Sequence, residues 1–91
     1  MRRSNFEQNK VKITMKQMLT ELKPGEVARV VGHQSQGLVR QRLLDLGLIP
    51  QTEIKFIRYA PLGDPIEIKV GYTHVVIRAS EAETVIVESQ A

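Results

Sequence analysis

The residues of this sequence best suited to chemistry are His33, His74 and Asp64. An imidazole is the commonest protein ligand for a divalent transition metal, and a carboxylate can ligate a metal or act as general acid or base. Spacing argues against both uses. The two histidines lie 41 residues apart, cysteine is absent, and no Glu-x-x-His pair accompanies either ring. Iron and zinc sites normally need three or four converging ligands. His33 and His74 are therefore weak metal candidates, and no cofactor is expected.

Acid–base catalysis by Asp64 would need a second titratable group and a pocket that shifts its pKa. The nearest carboxylate along the chain is Glu67, read as facing outward on a strand. The pair Asp64–Pro65 suits a turn instead: aspartate caps local amides, and the proline biases the residue before it toward extended geometry. No cysteine nucleophile is available, and the glycines of "GLIPQ" and "GDP" do not form a G-x-x-x-x-G-K-[ST] phosphate loop. The expectation is a protein that is not an enzyme and does not itself bind GTP.

Recognition is the chemistry that remains. The segment from Arg58 to Pro65 sets Leu62 between Pro61 and Gly63, with Asp64 following. An apolar tip held stiff loses little entropy on binding. Leu62 either points outward at a partner or folds back as a plug on the core. Arg40 and Arg42, on the polar side of a helix, could meet an acidic partner or could simply be solvated.

Short elements must position these residues. "VARVVG", 27–32, reads as a strand after a Pro24–Gly25 turn of type II. From Leu38 to Leu46 the apolar period changes from two to about 3.6, and Val39, Leu43 and Leu46 define the buried face of a helix. Gly47 follows as a left-handed C′ residue and Pro50 as a stop. "EIKFIRY", 53–59, and "IEIKVGY", 66–72, alternate as strands, the second with Ile66, Ile68, Val70 and Tyr72 on one side. Gly71–Tyr72 makes a tight hairpin into "THVVIRA", 73–79. "SEAE", 80–83, reads as one helical turn with Ser80 as N-cap and Glu83 at N3, and "TVIVE", 84–88, as the last strand. "VKI", 11–13, is a further candidate edge strand.

These elements describe an all-β domain with one short helix, a small SH3-like barrel of about five strands. The helix falls between the first and second strands, whereas an OB-fold usually places it between the third and fourth. The domain is expected over 15–91, behind a basic, flexible extension at 1–14. That extension holds four basic residues against one acid and so accounts for the net charge of +3; the rest of the chain has nine of each sign. Duplex-binding domains concentrate positive charge, so no nucleic acid is expected as partner. Without disulfides, a span of about 18 apolar residues or an apolar leader, the expected location is the cytoplasm.

"ELKPGEVARVVG", "RLLDLGLIPQTEIKFIRYAPLGDPIEIKV" and "VVIRASEAETVIVE" together resemble the FeoA family, over residues 19–88. The resemblance implies a non-enzymatic accessory of ferrous iron transport. It also implies a partner: the cytosolic GTP-binding domain of the ferrous iron permease FeoB, through which alone the protein would reach the membrane. The loop residues Arg58, Leu62, Gly63, Asp64 and Pro65, with Arg40 and Arg42, are the expected contact set. A monomer or weak homodimer is expected. The same barrel resembles the C-terminal domain of iron-dependent repressors, which leaves a regulatory small barrel, metal-sensing or RNA-binding, as the alternative. The chain departs from the family at Gln51, where glycine is usual. Glutamine at positive φ costs energy, so a type I turn is expected after Pro50.

Overall fold

Alternation of apolar and polar side chains governs most of the computed structural model, which describes residues 14–90. Six strands result: β1 (Thr14–Met18), β2 (Val27–His33), β3 (Glu53–Tyr59), β4 (Ile66–Val70), β5 (Thr73–Ile77) and β6 (Val85–Gln90). All pair antiparallel in one sheet of order β1-β6-β2-β3-β4-β5. The sheet curls around a single core in the SH3-like manner but does not close, leaving β1 and β5 as its edges. The expected edge strand at 11–13 lies outside the described residues. β1 is a sixth strand beyond the five expected, and it makes the helix follow the second strand rather than the first. Its sequence TMKQM lacks a period of two, and its order comes from a five-pair register with β6.

Phe56, Ile54, Ile66, Ile68, Ile77, Val30, Val85 and Val87 fill the centre. A 3-10 turn, Leu19–Glu21, closes one end. Its three-residue period brings Leu19 and Leu22 to the same side, and both are fully buried. The Pro24–Gly25 turn is type II as expected: Glu26 N–H donates to Lys23 O at 2.9 Å and Gly25 has φ 90°.

The helix α1 spans Gly37–Asp45. It ends in a Schellman motif: Leu48 N–H donates to Leu43 O (3.1 Å) and Gly47 N–H to Leu44 O (3.0 Å), with Gly47 at φ 99°. Leu43 and Leu48, the apolar pair that accompanies this motif, are both fully buried. The buried face is narrower than expected. Leu46 is partly buried, but Val39 is 40% exposed and Leu38 88%.

Three local expectations are corrected. Strand β4 stops at Val70, so Tyr72 is not an inward residue. It sits beside Gly71 (φ 61°) in a two-residue hairpin of the II′ kind and is exposed. The short helix α2 is Ala79–Ala82, with Arg78 rather than Ser80 as N-cap and Glu81 rather than Glu83 at N3. The Glu81 carboxylate accepts from Arg78 N–H at 3.2 Å. Ala82 is the fully buried residue, and turning it inward fixes that phase.

The third correction is at Pro50. Gln51 does take the left-handed region, φ 81°, and Thr52 N–H donates to Ile49 O, giving a type II turn. The neighbouring strand imposes it. Gln51 N–H donates to Val30 O (2.7 Å) and Val30 N–H to Thr52 O (2.9 Å), so the turn is stitched to β2 on both sides. A non-glycine residue there costs about 1–2 kcal/mol, against about 0.5–1 kcal/mol of extra chain entropy lost by glycine. Gln51→Gly is therefore expected to stabilise the fold by roughly 0.5–1 kcal/mol, a rise of about 4 °C in melting temperature. A fall in thermal midpoint would refute the strain.

Candidate functional site

The loop between β3 and β4 is built from its prolines and glycine. Gly63 N–H donates to Ala60 O (2.8 Å), closing a four-residue turn with Pro61 at its second position, where fixed φ is favoured. Gly63 then takes φ 89°, Asp64–Pro65 is a cis peptide, and Ala60 N–H donates to Pro65 O (2.9 Å) across the base. Leu62, at the tip, is 95% exposed. Leu62 therefore does not fold back as a plug on the core.

Asp64 is architectural. Its Oδ1 accepts from Ala79 N–H at 2.8 Å, capping the first free amide of α2 and tethering the loop to it. On the other side of α2, Glu81 uses Oε2 to bind Arg42 Nε at 3.0 Å. The four residues of α2 thus anchor both the loop, through Asp64, and α1, through Arg42. The two expected contact segments are fastened to one support. Arg42 is engaged in this ion pair, and Arg40 stands exposed on the same helix.

Arg58 owes its position to a bulge. Strict alternation from Ile54 and Phe56 would turn it inward, but the register with β4 shifts between Phe56 and Arg58. Arg58 therefore faces Glu67 on the outer surface and binds it, Nε to Oε1, at 2.9 Å. His74 Nδ1–H donates to Glu67 Oε2 at 3.0 Å. Beside this group, Arg58, Tyr59, Pro61, Pro65 and Val76 line an open groove of ≈ 440 Å³. Tyr59 fixes one wall: its hydroxyl donates to Thr20 O (3.1 Å) and its ring packs on Phe56 at 4.8 Å.

The His74 hydrogen bond first, and the Arg58 hydrogen bond second, hold the Glu67 carboxyl below its usual range, outweighing the opposing effect of desolvation. A carboxylate with a lowered folded pKa adds stability above its unfolded value that is lost as pH falls through the folded one. Glu67→Gln is therefore expected to melt below the wild type at neutral pH, with the gap closing below pH 4.5, the ordinary value. Thermal melts of both proteins across that range check it. A gap that widens on acidification would contradict the assignment.

The two histidines do not converge. His33 is half-buried, and its Nε2–H donates to Leu48 O at 2.6 Å. His74, on β5, is held by Glu67 of β4. No group of three or more His, Asp or Glu side chains is placed to hold a metal among the described residues. Sequence reasoning missed Leu38 and Val39 as exposed apolar residues of α1. The exposure of Leu38 follows from its lying off the i, i+4, i+7 stripe, which was legible.

The FeoA domain family model matches residues 17–89. FeoA from Chlorobium tepidum is 42% identical, with a TM-score of 0.75 over 81% of this chain and 70% of that one. FeoA from Stenotrophomonas maltophilia, a prokaryotic SH3 domain protein complexed with zinc, is 31% identical, with a TM-score of 0.70 over 81% of this chain and 94% of that one. A segment of the Fe(2+) transport protein A/Fe(2+) transporter FeoB fusion protein of Porphyromonas gingivalis is 31% identical over 70 residues. That match covers 77% of this chain but 8% of the fusion protein.

Proposed function

The chain belongs to the FeoA family, and from that premise we propose that it serves ferrous iron uptake as a non-enzymatic accessory docked on the cytosolic GTP-binding region of a ferrous iron permease. The observation that carries the docking is Leu62. A large apolar side chain is held 95% exposed on a loop fixed by Pro61, Gly63 and the Asp64 tether. Rigid exposed apolar residues are the kind that bind at low entropic cost. Fusion of a related segment to a FeoB transporter in one polypeptide supports physical association between the two proteins. Leu38 and Val39, exposed on α1, are further apolar candidates for the contact, and Arg40, exposed on the same helix, is a cation for an acidic rim.

No helix among the described residues is long and apolar enough to cross a membrane. The proposed location is the cytoplasm, with membrane contact through the permease alone. The test is a titration of the isotopically labelled chain with the purified GTP-binding domain, loaded with GDP or a non-hydrolysable GTP analogue. Amide shifts should concentrate in residues 58–65 and 37–45, saturating at roughly micromolar concentrations. Spectra unchanged at about 1 mM domain would reject the docking.

A further inference from the structure

Among the described residues, strand β5 is an edge of the sheet, and no strand pairs with its outer side. Proteins usually guard such an edge with lysine, proline or a bulge. β5 has none of these: its sequence is THVVI, its register with β4 is unbroken, and Val76 is 55% exposed. The other edge strand, β1, carries Lys16. Arg58, Glu67 and Lys69 lie on β3 and β4, inside the sheet, and guard neither edge.

The hairpin determines which backbone groups are free. In a two-residue hairpin the closing pair, here Val70 and Thr73, exchanges both of its hydrogen bonds, and bonded and non-bonded pairs then alternate. Thr73, Val75 and Ile77 thus bond to β4. His74 and Val76 direct their N–H and C=O outward.

We infer that β5 of a second copy of this chain occupies this edge, antiparallel about a two-fold axis at Val75. In that register the free groups answer one another: His74 pairs with Val76 of the second copy, and Val76 with its His74. A register centred on His74 sets imidazole against imidazole, and one centred on Val76 sets His74 against Arg78. On the outer face, each chain's row Lys55–Lys69–His74 continues into Val76–Glu67–Arg58 of the other. No like charges meet across the seam, where they would oppose pairing. The contact is isologous, as two-fold dimers require. A five-residue strand covers far less than the roughly 1,600 Å² of a standard interface, so the dimer is weak, with a dissociation constant on the order of 0.1 mM.

Sedimentation equilibrium of the full chain from about 20 µM to about 1 mM tests this. The apparent mass should climb from monomer toward dimer, and exchange of the His74 and Val76 amides should slow over the same range. Val76→Lys places a guarding charge on the edge and should weaken association at least about tenfold, with the thermal midpoint unchanged. Val76→Pro removes an outward N–H and should do the same; if it fails to fold, Val76→Lys decides. A monomer at 1 mM, as expected if the edge serves a different protein or only solvent, overturns the inference. So does association of Val76→Lys equal to that of the wild type.

Discussion

Gly47→Val is expected to remove about 3 kcal/mol of stability, among the largest losses available to a single substitution outside the core centre. Two costs combine at this position. At φ 99° a side chain is strained by about 1–2 kcal/mol, and a β-branched one by more. A Cβ built on Gly47 also lies 3.2 Å from Val70 Cγ1, closer than such contacts normally come. Val70 is 8% exposed, and overpacking typically costs about 1–3 kcal/mol. The backbone cannot relax cheaply, because the two Schellman hydrogen bonds hold Gly47 between buried Leu43 and Leu48. Gly25→Ala separates the costs: φ is 90° there, but nothing lies within 4 Å of the added carbon. Denaturant melts should rank Gly47→Val below Gly47→Ala, and Gly47→Ala below Gly25→Ala. Equal losses for the two alanine variants would show that the Val70 contact is unimportant.

Gly47 also marks how far the sequence could be read. Its position after a 3.6-period run, with Pro50 beyond, is a local signal, and it located the end of α1. The Gly71 hairpin and the alternation of β3 and β4 were legible for the same reason. Signals that depend on a distant partner were not. β1 exists through pairing with β6, and nothing in TMKQM announces it. Gln51 was assigned by its own preference, whereas the hydrogen bonds with Val30 override that preference. The bulge that turns Arg58 outward belongs to the β3–β4 register, not to either strand alone. In the candidate site, Asp64 and Arg42 have structural duties that the sequence did not announce. Asp64 meets Ala79 across 15 residues and Arg42 meets Glu81 across 39, so the short helix α2 emerged as the support for both contact segments.

Leu62→Asp is expected to weaken binding of the permease's GTP-binding domain by at least about tenfold to a hundredfold while leaving the fold intact. The figure follows from burial: transferring a leucine side chain out of water contributes roughly 1.5–3 kcal/mol, and each 1.4 kcal/mol is about tenfold in Kd. A carboxylate adds the cost of desolvating a charge in the contact. The fold should not respond, because Leu62 is 95% exposed and surface substitutions of this kind usually stay within about 0.5 kcal/mol. Asp64→Ala gives the complementary result. It removes the bond to Ala79 N–H, so stability should fall by about 1 kcal/mol, and binding should weaken less than with Leu62→Asp because the loop loses rigidity but keeps its apolar tip. Calorimetric titration with parallel thermal melts distinguishes the two effects. Binding by Leu62→Asp at wild-type strength would remove the 58–65 loop from the interface, and a melting temperature that collapsed with it would mean that Leu62 supports the core after all.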